Sequence, residues 1–262
     1  MVTGSVGKTS TKDAVAAVLA SRFFVRKTEK NLNTEFGVPF TILGVKNPLR
    51  DPFAWLSVMK NVVALLILPN HYPTMLVLEV GADKSRDLAR MLRIATPNAV
   101  VITRLPEIPV HVETYASPEA VRDEEFSPAY ALGAGAPLIV PADDPYALDS
   151  AVRTPARIIS YGVAANATVQ LGEINFYESG GKVNGMQAKV KMNTEEGSLV
   201  VRGSVGMTQL LPAAAALATA SAFDTALSEA LKALDAYEPP PGRGRLLAGE
   251  NNSVIIDDSY NA

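Results

Sequence analysis

An α/β fold is predicted for this chain of 262 residues: a P-loop-type, mostly parallel sheet flanked by helices, with a small antiparallel sheet appended. Three observations predict it. A glycine-rich turn at residues 3–8 opens directly into a helical pattern. Short apolar runs then alternate with helical patterns as far as residue 153, the signature of parallel strands joined by crossover helices. From residue 164 to 203 the spacing becomes an alternation punctuated by glycine, the signature of hairpins.

The elements follow in chain order. Residues 9–22 place Ala14, Val15, Val18 and Leu19 on one helical face. Residues 55–68 are the longest apolar stretch, interrupted by Lys60 and Asn61. That stretch is too short to span a bilayer, and it reads as a core or interfacial helix. Residues 75–80 (MLVLEV) are a continuous apolar run closed by Gly81, as a strand buried on both faces requires. Residues 99–103 and 137–140 have the same character. Helical patterns at 86–94, 118–132 and 146–153 lie around them. Within 164–203, Ser179-Gly180-Gly181 and Glu195-Glu196-Gly197 read as the turns of a sub-sheet of about three strands. Two helices follow, at 210–222 with a buried alanine run and at 225–236. A Pro/Gly-rich turn at 238–244 leads to a last strand at 253–256.

Composition bounds the function. The sequence is 48% hydrophobic and 19% charged, ordinary values for a soluble globular protein. A net charge of −3 points neither to nucleic acid nor to an anionic membrane. The absence of cysteine excludes disulfides, thiolate metal sites and a cysteine nucleophile. With no basic and apolar leader at its start, the chain is expected to be cytoplasmic. The glycine turn begins at residue 3 and residues 257–262 stop within a motif, so the chain is expected to be a piece of a longer protein.

The chemistry concentrates in Thr3-Gly4-Ser5-Val6-Gly7-Lys8-Thr9-Ser10-Thr11. The glycines let backbone N–H groups face a phosphate, and the helix that follows adds its positive end. Lys8 can reach the β- and γ-phosphates of a nucleotide, and the Thr9 hydroxyl can ligate Mg²⁺. Val2 stands where the general pattern has a further glycine, so the loop is the variant G-x-x-G-K-T. The nucleotide-binding residues are therefore expected to be Thr3, Gly4, Ser5, Val6, Gly7, Lys8, Thr9 and Ser10. The bland alternative is a glycine turn with a solvated lysine. Glu79 ends the 75–80 strand, where open α/β sheets place ligand groups, and a carboxylate there suits a hard cation. Its alternative is a solvated strand end.

The variant loop resembles that of the Mur ligase superfamily, and further motifs follow in that family's order. Asn31-Leu32-Asn33-Thr34-Glu35-Phe36-Gly37-Val38-Pro39 resembles the asparagine-rich loop of the D-alanyl-D-alanine-adding (MurF) group. Glu79-Val80-Gly81-Ala82, His111-Val112-Glu113, Ala142-Asp143-Asp144 and Asp257-Asp258-Ser259-Tyr260-Asn261-Ala262 resemble its later segments. The resemblance covers essentially the whole chain. It implies that residues 1–262 are a central ATP-binding domain, lacking an N-terminal substrate domain and a C-terminal domain, with 164–203 as a sub-sheet.

The implied reaction is ATP-dependent amide bond formation through an acyl phosphate, adding D-alanyl-D-alanine to a UDP-muramoyl tripeptide in peptidoglycan synthesis. Mg²⁺ is the implied metal and a monomer the implied state. The resemblance makes Lys8, Glu79, His111 and Glu125 the catalytic set, with Thr9, Glu79, His111 and Glu125 around metal. Asn31, Asn33 and Thr34 would meet substrate, Arg243 (or Arg245) a nucleotide phosphate, and Asp258 the ribose hydroxyls. His71 reads as structural.

Two departures stand out. The family's His-Asn pair before the alanine-rich helix is replaced by Val205-Gly206, leaving Gln209 as the remaining candidate for adenine. Glu125 falls where the family carries a carbamoylated lysine. It is either a permanent carboxylate doing that lysine's work or a solvated member of the charged run Asp123-Glu124-Glu125. The other functional classes compatible with the motifs are a folylpolyglutamate or cyanophycin synthetase-like ligase and a non-catalytic nucleotide-binding scaffold.

Overall fold

The computed structural model describes residues 1–29, 32–110 and 112–260. In chain order, β1 (Val2–Thr3) leads into α1 (Lys8–Leu19), β2 (Val25–Lys27), α2 (Gly37–Leu43), α3 (Pro52–Ile67), β3 (Met75–Val77), α4 (Asp87–Leu92) and β4 (Val100–Ile102). Next come α5 (Pro118–Tyr130), β5 (Pro137–Pro141), α6 (Pro145–Ala151) and β6 (Arg157–Gly162). The hairpin strands β7 (Val169–Ser179), β8 (Lys182–Met192) and β9 (Glu195–Arg202) precede α7 (Met207–Ala222) and α8 (Leu227–Leu234). The last pair is β10 (Arg245–Ala248) and β11 (Val254–Asp257).

One sheet of seven strands runs β1-β4-β5-β6-β7-β8-β9. It is parallel from β1 to β7 and antiparallel from β7 to β9. The β2–β3 pair is also parallel and is stitched to β1: the Val2 N–H donates to Leu78 O at 2.8 Å, and the Val80 N–H to Val2 O at 3.0 Å. The chain thus runs outward from β1 to β2, returns to β3 beside β1, and then proceeds along the other side. The sequence of strands reverses around β1, where open α/β sheets bind ligands at their carboxyl ends.

The antiparallel strands of 164–203 are joined edge-on to β6 through β7, so they extend the main sheet. Their first turn falls at Ser179–Lys182 as expected. The second does not: Glu195, Glu196 and Gly197 are ladder residues of β9, and the reversal is made at Asn193-Thr194, with Asn193 at φ 55°. Asparagine tolerates this left-handed backbone better than most residues.

Packing explains the helices. α7 buries Ala213, Ala214, Ala215, Ala216, Leu217, Ala218 and Ala220 completely, and α1 offers Ala14, Val15 and Val18 to the same core. Small side chains let the two helices approach closely over the sheet. On the other face Phe126 and Ala129 of α5 and Ala147 and Ala151 of α6 cover Ile102, Leu138 and Val140. For α3 the first of its two expected forms, core or interfacial, fails. Of its residues only Val58 is buried, so it is not a core helix. The residues between the predicted elements supply β2, β6 and β10, which the sequence pattern did not single out.

Candidate nucleotide-binding site

Gly4 and Gly7 both have positive φ, at 127° and 86°. A Cβ on Gly4 would collide with Thr103 Oγ1, so the loop can lie flat against the end of β4 only with glycine there. Gly7 is the residue before α1, and no side chain caps that helix. The first N–H groups of α1 are therefore left for an external acceptor, with the positive end of the helix behind them.

The loop is braced from below. Thr3 is fully buried, and its hydroxyl donates to Glu125 O at 2.8 Å. The Ser5 N–H donates to Arg104 O at 2.9 Å, and its hydroxyl to Glu125 Oε2 at 2.5 Å. Val6 is exposed and bridges Arg104. Ser10 is buried, and its carbonyl accepts from the Tyr237 hydroxyl at 3.3 Å. Lys8 folds over the loop, donating to Gly4 O at 2.5 Å and Ser5 O at 3.2 Å. Its cation thus lies where the loop's carbonyls hold it until an anion competes.

At the end of β3, Glu79 is buried. Its Oε1 accepts from the Thr9 hydroxyl at 3.1 Å and from Asn33 Nδ2 at 3.4 Å. Its Oε2 lies 3.5 Å from Lys12 Nζ, a lysine buried on α1. Lys12 was not legible as a site residue: it follows the motif by one helical turn, and nothing in its spacing says that it points at a strand end 67 residues on. Arg243 Nη2 donates to Thr9 Oγ1 at 3.3 Å, and its guanidinium stacks 3.8 Å from the centre of the Tyr260 ring. Arg245 is exposed on β10. The Asp258 carboxylate accepts from the Gly244 N–H at 2.9 Å, which shapes the turn that carries Arg243.

Gln209 is buried in the first turn of α7, and its Oε1 has no hydrogen-bond partner. A buried carbonyl left unpaired is costly, and a ligand amine would satisfy it. The donor set suits both implied groups. Thr9 and Glu79 present hard oxygens to each other at the mouth of the loop, as Mg²⁺ requires. Among the described residues no cluster of three or more His, Asp or Glu forms a metal cage.

The remaining expected residues fall as follows. Asn33 joins Glu79 as described, and its carbonyl accepts from the Gly81 N–H at 3.2 Å. Thr34 is exposed and its hydroxyl accepts from the Gly37 N–H at 3.3 Å, at the start of α2. Asn31 and His111 lie outside the described residues, as do Asn261 and Ala262 of the last motif. His71 stacks on Phe24 with ring centres 4.5 Å apart, away from the site.

Glu125 is not a solvated helix residue: it is buried, while Asp123 is exposed. Glu124 caps α4 instead, accepting from the Arg86 and Leu88 N–H groups at 2.9 and 3.0 Å. Burial raises the Glu125 carboxyl to about 7, against the opposing pull of the Ser5 hydroxyl and the Lys8 cation.

The Mur ligase middle domain model matches residues 2–220. The UDP-N-acetylmuramoyl-tripeptide--D-alanyl-D-alanine ligase of Bacillus subtilis is 27% identical over 261 residues, covering 100% of this chain and 49% of that protein. MurF from Acinetobacter baumannii superposes with a TM-score of 0.77 at 21% identity, over 100% of this chain and 50% of the other. MurF ligase from Thermotoga maritima, solved with ADP, gives 0.76 at 23% identity, over 100% and 53%. The chain spans about half the length of the curated relatives it matches. With the match running through the glycine loop, the Glu79 strand and the alanine-rich helix α7, the chain belongs to the Mur ligase middle domain family.

Proposed function

We propose that this chain is the ATP-binding central domain of a cytoplasmic ligase that adds D-alanyl-D-alanine to a UDP-muramoyl tripeptide. The observation that carries the proposal is the convergence of Lys8, Thr9, Glu79 and Arg243 at the mouth of a glycine loop whose helix is left uncapped. The likeness to MurF ligases along the whole chain supports the substrate class.

In this reading Lys8 leaves the loop carbonyls and pairs with the β- and γ-phosphates of ATP. The uncapped N–H groups of α1 hold phosphate oxygens, and Arg243 approaches them from the opposite side. Thr9 and Glu79 would hold Mg²⁺, which when bound supplies charge neutralisation to the phosphoryl group being transferred to the peptide carboxylate. Lys12 pairs with Glu79 and holds it turned toward the site. Gln209 offers its free carbonyl to the adenine amine. Glu125 supplies, beneath the loop, a carboxyl side chain at the position of the family's carbamoylated lysine. Positioning and electrostatics carry the chemistry, and no protein nucleophile is required.

Phosphate release by the intact protein tests the proposal. Release that depends on UDP-muramoyl tripeptide together with D-alanyl-D-alanine is expected. Release with a folate or an aspartate-arginine polymer instead would assign a different amide ligase. ATP binding without release under any pairing would assign a nucleotide-binding scaffold.

A further inference from the structure

We propose that α3 is a peripheral membrane anchor, which lays this protein against an anionic lipid surface. The helix is held to the body by Val58, with Ala54 and Leu65 half-buried on the same side. At about 100° per residue, Leu56, Met59, Val63, Leu66 and Ile67 share the outer side, with Trp55 on its flank beside Phe40. That side faces water: Leu56 is 70% exposed, Leu66 78% and Ile67 74%. Phe53, 82% exposed, and Leu49, 75% exposed, extend the surface at the helix start. Contiguous apolar surface of this kind on a folded protein marks an interaction site.

Length and charge select the occupant. Sixteen residues reach only about 24 Å, short of a hydrocarbon core of about 30 Å. No helix among the described residues is long and apolar enough to cross a membrane. The whole chain carries −3, yet the stretch from Phe36 to Leu78 has the cations Lys46, Arg50 and Lys60 against the single acid Asp51. The carboxylate of Asp51 is engaged with the Phe53 and Ala54 N–H groups at 2.9 and 3.3 Å. Lys60 on the helix and the exposed Lys46 and Arg50 shortly before it, with Trp and Phe near one end, fit the headgroup region of an anionic leaflet. The flat average charge of the chain conceals this local excess.

A second copy is a poorer occupant. Lys60 lies at the middle of the helix, so a two-fold pairing along the stripe would bring the two Lys60 cations together in a drying interface. A protein partner would find few hydrogen-bonding groups on the stripe, whereas specific interfaces carry several.

Sedimentation of the intact protein with vesicles tests the assignment. With equal phosphatidylglycerol and phosphatidylethanolamine the protein is expected to pellet, and with neutral phosphatidylcholine to pellet less. Leu56→Glu together with Val63→Glu, both at exposed positions, is expected to lower vesicle partitioning at least about tenfold with nucleotide affinity unchanged. Lys60→Glu is expected to weaken binding to the anionic vesicles alone. The Trp55 emission, isolated as the difference between wild type and Trp55→Phe, should shift to the blue on adding anionic vesicles. Absence of both pelleting and the Trp55 shift overturns the assignment. So does a wild-type dimer that ignores vesicles and is dissociated by the double substitution.

Discussion

Two residues set the electrostatics of the glycine loop. Lys8 reaches two loop carbonyls, so its charge lies over the glycine loop, where the proposal places a phosphate. Lys8→Ala removes that charge and leaves the fold intact. Calorimetry should then show ATP affinity reduced roughly 10- to 100-fold, the range for losing one charge-assisted hydrogen bond. Equal affinity for the two proteins would remove Lys8 from the site. Glu125 is the other residue. In the protein free of metal and nucleotide its carboxyl titrates near 7, raised by burial from 4.5. Between those two values only the folded state holds the proton. The associated stability is therefore complete below pH 4.5 and is lost as pH rises through about 7. Glu125→Gln does not titrate, so wild type should lose up to about 3 kcal/mol relative to it between pH 4.5 and 8. Thermal unfolding of both proteins at several pH values measures this, and parallel pH profiles would contradict it. In the intact enzyme, Glu125→Gln should also lose activity, and wild type should be indifferent to removal and return of bicarbonate. Retained activity in Glu125→Gln would mean that Glu125 does not take the place of the modified lysine. Sequence alone left Glu125 between two environments, because charge runs are solvated more often than not. Only the turn of α5, with Val121 and Phe126 in the core, decides which acid of the run faces inward.

Among the elements, α7 is the piece on which the sheet's covering depends. Its alanines are completely buried against α1 and the sheet, so there is no space for a longer side chain. Ala216→Leu should destabilise by about 1–3 kcal/mol through overpacking. Chemical denaturation with unchanged m-value would record it, and a stability equal to wild type would show that α7 can move away from α1. This helix was legible because its composition and its burial agree. The parallel strands 75–80, 99–103 and 137–140 were legible for the same reason, since strands covered on both faces need no polar alternation. β6 was less so: Arg157-Ile158-Ile159-Ser160-Tyr161-Gly162 mixes exposed and buried positions. The second hairpin turn was misplaced because glycine is the stronger turn signal in sequence. Gly197 is nevertheless a strand residue packed beside Leu231, while Asn193 makes the reversal. For α3 the choice between a core and an interfacial helix stayed open because apolar composition is silent about what lies opposite. Its helical character was legible, but its start at Pro52 behind the Asp51 cap and its solvent-facing side were not.

At the scale of the whole molecule, the site lies at the carboxyl ends of β1 and β3, where the order of the sheet reverses. Its wall on one side is the turn at Gly242–Gly244, held by Asp258 and the Tyr260 ring over Arg243. Among the described residues, the groups gathered at the loop mouth are those proposed to meet the phosphates and the base. The described residues bring no comparable convergence of groups onto a peptide carboxylate or an incoming amine. Relatives of about twice the length supply the reason to expect those contacts from outside these 262 residues. Binding and ligation should therefore separate. The 262-residue chain, purified alone, should bind Mg-ATP with the same dependence on Lys8 as the intact protein. With UDP-muramoyl tripeptide and D-alanyl-D-alanine present, it should form amide at under about 1% of the intact protein's rate, because an open site neither excludes water nor aligns the two substrates. Product formation is followed by chromatography, and ATP affinity by calorimetry on the same sample, so that a failure to fold is told apart from a failure to ligate. Amide formation by the chain alone at a rate near that of the intact protein would place both substrate sites within these residues.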